Sequence, residues 1–265
     1  MLCDFHLHTS FSGDSTTPAS WQVDQAIRLS MPRICITDHH DMDVTSDYNF
    51  TLNLPEYFPA INHLREQYQD RIVVETGIEL GLQNHIAREL LETSSGYPFD
   101  FIIGSCHYID GLDPYFPQYF EGRDQRSAYR RFFEVTLSRV QNLDCFDSLG
   151  HLDYVVRYGP DRNREYDYRD YQDIVDEILK VLIRKDKALE CNTGGFHYGL
   201  GQPNPCEDIL RRYRELGGEL LTLGSDAHDP SRLGYGFERA RSLLKSCGFS
   251  SYAVYHQRKP EFLPV

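Results

Sequence analysis

Short runs of apolar and β-branched residues alternate with longer amphipathic segments along the whole chain. The runs predict strands at residues 2–7, 33–38, 72–80, 99–108, 145–151, 188–193, 219–226 and 252–255. The amphipathic segments predict helices at residues 18–30, 55–69, 84–93, 125–142, 171–186, 207–216 and 237–247. Strict alternation of strand and helix is typical of a parallel sheet covered by helices. About seven such units favour an α/β barrel over an open sheet.

The length of 265 residues allows either one large barrel or two ordinary domains. No internal repeat, low-complexity segment or linker-like shift in composition divides the chain. We therefore expect residues 1–265 to form a single domain.

The chain is acidic, with 27 Lys and Arg against 40 Asp and Glu and a formal net charge of −13. Nucleic-acid binders and proteins that dock on anionic membranes need a basic face, so the composition argues against both partners. No apolar run approaches the roughly 20 residues of a membrane-spanning helix, and the first residues do not resemble a secretory signal. Seven scattered cysteines without a Cys-x-x-Cys pair suit reduced thiols, so we expect a cytoplasmic protein.

Every predicted strand up to the seventh ends in a polar side chain that can bind a metal or form a hydrogen bond. In an α/β barrel the carboxyl-terminal ends of the strands form the face on which active sites are built. The residues at these ends are His6, His8, Asp38, His39, His40, Glu79, His107, His151, Asn192, Asp226 and His228.

Alternate residues of a strand point to the same side, so His6 and His8 can bind one ion together, as can Asp226 and His228. Imidazole together with carboxylate suits Zn, Mn or Fe, and the lack of a cysteine cluster argues against a thiolate zinc site. A zinc ion takes about four ligands and an octahedral ion about six. Nine candidate side chains therefore imply two ions, or three if a carboxylate bridges. The candidates are His6, His8, Asp14, His39, Glu79, His107, His151, Asp226 and His228.

A single histidine at a strand end is more often a hydrogen-bonded structural residue than a metal ligand. The joint pattern over several strands is what favours a metal centre here. His63 and His85 in predicted helices, and His256 near the end, lack that pattern, and we interpret them as solvated or structural. Asp14 follows Gly13, so it is either a ligand or an ordinary turn residue.

Six ordered motifs resemble those of the PHP (polymerase and histidinol phosphatase) family over essentially the entire chain. A lone His-x-His motif is weak, but six motifs in the same order are specific. They are DFHLHTS (4–10), ITDH (36–39), GIE (77–79), GSCH (104–107), GHLD (150–153) and GSDAH (224–228). The chain length and the segment HLDYVVR (151–157) resemble the stand-alone histidinol-phosphate phosphatases of that family.

The resemblance implies a distorted (β/α)7 TIM-like barrel with a centre of two or three divalent metal ions (Zn, Mn or Fe). Many relatives carry histidine where Asp14 stands, which leaves the metal at that position open. Glu79 would be the bridging ligand. The implied sets are His6, His8, Glu79 and Asp226 for one ion, Asp14, His39 and His228 for a second, and Glu79, His107 and His151 for a third.

The activity implied by this resemblance is hydrolysis of a small-molecule phosphomonoester, with L-histidinol phosphate as the substrate. A hydroxide that bridges metal ions would attack phosphorus in line, with Glu79, Asp226 and His228 as catalytic residues. Arg157 is the candidate phosphate clamp because a guanidinium matches phosphate oxygens, although a surface or ion-paired role is equally consistent with the sequence. The remaining candidates for substrate binding are His40 and His197.

Acidic and aromatic residues would select the polar, cationic part of such a substrate. Asp41, Asp43 and the loop 110–120 (DGLDPYFPQYF) are the candidates, and the loop is either a lid or a packed surface loop.

Three other interpretations are compatible with the sequence, and one of them is a barrel that works without metal. The first is a PHP phosphoesterase that acts on another small metabolite or on nucleotides. The second is a metal-binding regulatory protein without turnover, which a missing ligand would indicate, and no ligand is missing. The sequence does not specify an oligomeric state.

Overall fold

The computed structural model describes residues 2–46 and 48–265, and its centre is a parallel sheet of seven strands. The strands lie in the order β1-β3-β4-β5-β6-β7, and β2 pairs with the second half of β3. Their bounds are β1 Arg33–Ile36, β2 His39–His40, β3 Val73–Gly81, β4 Phe101–Ser105, β5 Ser148–Leu149, β6 Ala188–Asn192 and β7 Leu221–Gly224.

The extended segment 4–8 lies between β1 and β7 and closes the sheet into a barrel. On one side the Cys35 N–H donates to the Asp4 carbonyl at 2.9 Å, and on the other the Phe5 N–H donates to the Leu223 carbonyl at 3.0 Å. The barrel that the alternation predicted is therefore present.

The predicted first strand, residues 2–7, is not a regular strand but a segment held by two isolated bridges. Side-chain oxygens replace part of its backbone ladder. The His6 N–H donates to Asp4 Oδ1 at 3.3 Å, and the Leu7 N–H donates to Thr37 Oγ1 at 3.1 Å.

Eight α-helices accompany the strands in the described residues. Helix α1 packs on β1, α2 on β3 and α5 on β6, and the buried side chains of barrel and helices form one continuous core. The helices are α1 Ala19–Arg28, α2 Leu54–Tyr68, α3 Ala87–Gly96, α4 Gln125–Asn142, α5 Gln172–Arg184, α6 Gly194–His197, α7 Glu207–Glu215 and α8 Phe237–Ser246.

Most predicted elements occur with their ends shifted by a few residues. Helix α4 has the predicted bounds, because Asp124 caps it by accepting a hydrogen bond from the Ser127 N–H at 2.9 Å. The helix predicted at 84–93 begins as a 3₁₀ turn (Asn84–Ile86) and continues to Gly96. The seven cysteines are all buried and unpaired. Within residues 2–46 and 48–265, no helix is long and apolar enough to cross a membrane.

The predicted last strand lies outside the barrel, in an antiparallel hairpin of β8 (Ser251–His256) and β9 (Lys259–Pro264). The sequence did not predict β9 because prolines interrupt it and most of its residues are exposed. At the turn, the Arg258 N–H donates to the Asp100 carbonyl at 2.9 Å, and the Arg258 guanidinium pairs with Asp147. Since these acidic residues precede β4 and β5, the hairpin covers the amino-terminal end of the barrel.

Candidate metal centre

A cavity of about 540 Å³ lies at the carboxyl-terminal ends of the strands. Six predicted ligands line this cavity, and His6, His8 and Glu79 are fully buried beneath it. The six that line it are Asp14, His39, His107, His151, Asp226 and His228.

His6 and His8 converge, and their Nε2 atoms are 3.1 Å apart. Asp226 Oδ1 lies 3.6 Å from His6 Nε2 and 3.4 Å from His8 Nε2. Glu79 Oε2 lies 3.3 and 3.5 Å from the same two nitrogen atoms. The structure thus brings together all four members of the first predicted ligand set.

Glu79, on β3, is the central residue of the cluster. Its Oε2 lies 2.9 Å from His39 Nδ1, and its Oε1 lies 3.3 Å from His107 Nε2 and 2.9 Å from His151 Nε2. Ser105 also donates a hydrogen bond to Oε1 at 2.6 Å. Because the carboxylate faces histidines on all sides, its geometry suits a bridging ligand.

Asp14 closes the cluster on the solvent side. Its Oδ2 lies 3.1 Å from His228 Nε2 and 3.6 Å from His39 Nε2, so these three side chains also meet as expected. His39 presents one ring nitrogen to Asp14 and the other to Glu79. The donor atoms of His39, Glu79 and His107 converge as well, so the division of ligands among ions stays a prediction.

Within residues 2–46 and 48–265, three buried atoms that face the cluster make no hydrogen bond, namely Glu79 Oε2, His39 Nδ1 and His228 Nε2. Buried polar atoms are nearly always paired, so unpaired atoms that converge on one another need another partner. Imidazole nitrogens and carboxylate oxygens are the ligands that Zn, Mn and Fe accept. The residues therefore fit a cluster of divalent cations.

The charges of the cluster keep two of its carboxylates ionised and one of its imidazoles neutral. Burial opposes the ionisation of Glu79 and Asp226, but His6 and other nearby cationic groups outweigh it and hold the pKa of both carboxyls well below its usual range. Burial and the neighbouring histidines lower the pKa of His8 well below its usual value. Ionised carboxylates and a neutral imidazole are the ligand forms that coordinate an ion.

Two carboxylates bind the Nδ1 atoms of histidines whose Nε2 atoms face the cluster. Glu190 Oε1 lies 2.6 Å from His6 Nδ1, and Asp41 Oδ1 lies 3.0 Å from His107 Nδ1, so each ring turns its Nε2 towards the cluster. The sequence analysis did not identify Glu190. The feature that could have indicated it is a single charged residue within the otherwise apolar strand β6. Asp41 lines the cavity as well, so the expectation that it helps to select the substrate stays a prediction.

Arg157 is buried and lines the cavity. Its Nη1 donates to Asp226 Oδ2 at 2.8 Å, its Nη2 to Asn192 Oδ1 at 2.9 Å and its Nε to Asn204 Oδ1 at 2.8 Å. The surface role is thus excluded, and an ion-paired arginine at the cavity wall is what the structure contains. The three bonds leave some of its N–H donors free for a ligand oxygen.

The structure separates the two remaining substrate candidates. His197 lines the cavity at its exposed rim, beside Tyr235. His40 does not reach the cavity, and its Nδ1 accepts a hydrogen bond from the Leu52 N–H at 3.0 Å. Successive residues of a strand face opposite sides, so once His39 points into the cluster, its neighbour on β2 points away.

The loop 110–120 is partly packed and partly open to the cavity. Tyr119 and Phe120 are buried, whereas Asp113, Tyr115 and Phe116 line the cavity. The other acidic candidate, Asp43, does not line it, because this residue is exposed and pairs with His85.

Comparison with known proteins gives a consistent result. Residues 4–194 match the family model of the PHP domain. The histidinol-phosphatase of Lactococcus lactis is 35% identical over 260 residues, covering 97% of this chain and 95% of that protein. A probable histidinol-phosphatase of Clostridium acetobutylicum is 30% identical over 250 residues, covering 93% of this chain and 94% of that protein.

Solved structures agree on the fold. The crystal structure of histidinol phosphate phosphatase from L. lactis, complexed with zinc, L-histidinol and phosphate, has a TM-score of 0.92 at 34% identity and covers 98% of this chain and 100% of that chain. The putative histidinol phosphatase of Listeria monocytogenes has a TM-score of 0.79 at 20% identity, over 89% and 99% of the two chains. The predicted distorted barrel and the resemblance drawn from the motifs are confirmed.

Proposed function

Because the chain belongs to the PHP domain family, we propose that it is a metal-dependent phosphomonoester hydrolase whose substrate is L-histidinol phosphate. The match to the two histidinol-phosphatases covers 95% and 94% of their length. The L. lactis structure that holds L-histidinol, phosphate and zinc supports the same substrate and metal.

The nine converging side chains are the proposed ligands of two or three divalent ions. When bound, such ions would polarise phosphate oxygens and lower the pKa of a water, which allows attack on phosphorus near neutral pH. The chain then needs no serine or cysteine nucleophile. The proposed sets remain His6, His8, Glu79 and Asp226, then Asp14, His39 and His228, and finally Glu79, His107 and His151.

Asp226 links the ligands to the phosphate-binding group. Its Oδ1 faces His6 and His8, while its Oδ2 accepts a hydrogen bond from Arg157 Nη1 at 2.8 Å. The guanidinium is therefore fixed beside the cluster, where its free N–H groups can hold two phosphate oxygens. Arg157 thus orients the ester, and the carboxylate fixes Arg157.

Three side chains are the proposed catalytic residues. Glu79 is shared between ligand sets, and Asp226 connects the cluster to the phosphate clamp. His228 is the most solvent-accessible histidine of the cluster, with 27% of its side chain exposed, so it lies on the side from which a substrate would reach the ions.

The observation that carries the proposal is the convergence of histidine nitrogens on both oxygens of the buried Glu79 carboxylate. A metal site that only stabilises the fold needs about four ligands and is closed to solvent. Here nine candidate ligands form the floor and wall of an open cavity. The absence of nucleic-acid and membrane partners stays a prediction, as does the cytoplasmic location.

The substrate is tested by reconstituting metal-free protein with Zn, Mn or Fe and assaying a panel of phosphomonoesters. The panel contains L-histidinol phosphate, a sugar phosphate, a nucleoside monophosphate and p-nitrophenyl phosphate. We expect kcat/KM for L-histidinol phosphate to exceed every other value by at least about tenfold. Equal values for L-histidinol phosphate and the generic ester would overturn the proposed substrate.

The ligand assignment is tested with His6→Ala and Glu79→Ala. Each variant should lose bound metal and activity together, because each removes a donor from the buried floor. His63→Ala, an exposed histidine on α2, is the matched control and should keep both. Full metal content and activity in His6→Ala would show that the assignment is wrong.

A further inference from the structure

The cavity is lined by four carboxylates, and three of them have basic partners. Asp14 faces His228, Asp41 faces a histidine of the cluster, and Asp226 pairs with Arg157. Asp113 forms no ion pair with any residue in 2–46 or 48–265. It is therefore the carboxylate of the cavity wall whose charge the described side chains leave unmatched.

One oxygen of Asp113 is held in place and the other is not. Its Oδ1 accepts hydrogen bonds from the Tyr115 N–H at 2.8 Å and from the Tyr154 hydroxyl at 3.3 Å. Its Oδ2 accepts none from the described part of the chain. A fixed carboxylate with one free oxygen on a cavity wall can accept a hydrogen bond from a ligand.

The turn before Asp113 fixes the position of that carboxylate. Ile109 and Leu112 exchange two backbone hydrogen bonds, of 2.8 and 3.0 Å, across a two-residue turn in which Asp110 and Gly111 both have positive φ. From outside the cavity, Arg131 holds Asp110 with two hydrogen bonds of 2.9 and 2.7 Å. The carboxylate is therefore presented by an anchored turn.

A second polar group, the Tyr108 hydroxyl, lies on the same wall near Ser46. The Tyr108 side chain is 5% exposed, and its hydroxyl makes no hydrogen bond within the described residues. Buried hydroxyls nearly always have a partner, so this group also indicates that a ligand completes the wall. A hydroxyl and a free carboxylate together suit a cation with several N–H donors.

The distance from the metal cluster limits what that cation can be. The Tyr154 ring spans the gap, because its hydroxyl donates to Asp113 and its ring centroid lies 5.0 Å from the His151 ring and 5.4 Å from the His107 ring. Asp113 is thus about one tyrosine ring away from the proposed metal ligands. In the phosphate ester of a 2-amino alcohol, two carbon atoms separate the ammonium nitrogen from the ester oxygen, which is a similarly short distance.

We propose that Asp113 and the Tyr108 hydroxyl bind the ammonium group of the substrate and so make phosphate esters of amino alcohols the preferred substrate class. This inference rests on the proposed function and extends it to the non-phosphate part of the substrate. Asp113 offers two acceptor lone pairs on its free oxygen, and the tyrosine hydroxyl offers a third acceptor to the same ammonium. The aromatic side chains at the cavity mouth would then contact the substituent of the amino alcohol.

The test compares L-histidinol phosphate with the same ester carrying hydrogen in place of the amino group. The readout is the ratio of the two kcat/KM values in zinc-loaded wild type, Asp113→Asn and Tyr108→Phe. We expect Asp113→Asn to lower this ratio about 10- to 100-fold, as loss of a charge-assisted hydrogen bond would, and Tyr108→Phe to lower it less. Calorimetric binding of L-histidinol should weaken by the same factor in Asp113→Asn.

Glu121→Gln is the matched control, because Glu121 is an exposed acid that directly follows the same loop and does not line the cavity. It should keep the wild-type ratio. A wild-type ratio in Asp113→Asn would overturn the inference, and so would losses of equal size on both esters, which would indicate a structural role. If wild type itself prefers no amino-alcohol ester over p-nitrophenyl phosphate, the proposed function fails instead.

Discussion

Replacing Glu190 with glutamine tests whether the carboxylates that bind histidine Nδ1 atoms set the metal affinity. Glu190 Oε1 accepts a hydrogen bond from His6 Nδ1 at 2.6 Å. Its Oε2 accepts from the His151 N–H at 2.8 Å and from the Asn192 amide at 3.1 Å. All of these partners are donors, so the position needs two acceptor oxygens.

Glutamine has the same shape but only one acceptor oxygen, and neither orientation fits. If its amide nitrogen faces His6, the ring must carry its proton on Nε2, which then cannot bind a metal. If the nitrogen faces the His151 N–H, two donors oppose each other around a side chain that is 2% exposed. Loss of a charge-assisted hydrogen bond costs about 1.5–3 kcal/mol, which corresponds to roughly 10- to 100-fold in affinity.

The assay is a zinc titration of metal-free wild type and Glu190→Gln against a chromophoric chelator, followed by kcat/KM on L-histidinol phosphate. We expect zinc affinity of the variant to fall by about 10- to 100-fold, with a parallel fall in activity at limiting zinc. Glu219→Gln is the surface control, because that side chain is 71% exposed, and its affinity should not change. Equal zinc affinity in Glu190→Gln and wild type would refute the reasoning.

Three further predictions concern stability and positioning. Chelation should lower the melting temperature in calorimetry, because an ion at about 100 times its Kd adds about 2.7 kcal/mol, and identical transitions would contradict this. Gly81→Ala should lower kcat/KM by a larger factor than it lowers the folding equilibrium constant, because the added Cβ overlaps Asp41, which holds His107. A wild-type kcat/KM in this variant would contradict the argument. In urea unfolding at neutral pH, Arg258→Ala should cost about 1–3 kcal/mol, because buried Asp147 loses its partner. Burial raises the pKa of Asp147, so acid protonates it in the folded state and should shrink that deficit; a constant deficit would contradict the argument.

The sequence predicted the barrel, and it predicted strand-end positions for eight of the nine candidate ligands, because both depend on local periodicity. Parallel strands buried on both faces appear as short apolar runs, and the first polar residue after each run marks the end of the strand. His6 and His8 could be placed on one side of the chain because strand geometry alone determines that relation. Helix α4 was bounded correctly because Asp124 is a local cap.

Residues whose roles depend on distant partners could not be predicted in this way. Glu190 contacts His6 across 184 positions, so only the closed barrel shows what this charge in an apolar strand does. His40 was misplaced because the register of a two-residue strand decides which of two adjacent histidines faces the cavity. Of the hairpin β8-β9, only the first strand was predicted, because the second strand is exposed and contains prolines.

The sharpest test of the multi-metal centre is a zinc titration of the metal-free protein in which bound zinc and turnover of L-histidinol phosphate are measured on the same samples. The proposed centre predicts no turnover without zinc and maximal turnover only when at least about two ions per chain are bound. Full turnover in the metal-free protein, or saturation below one ion per chain, would contradict it.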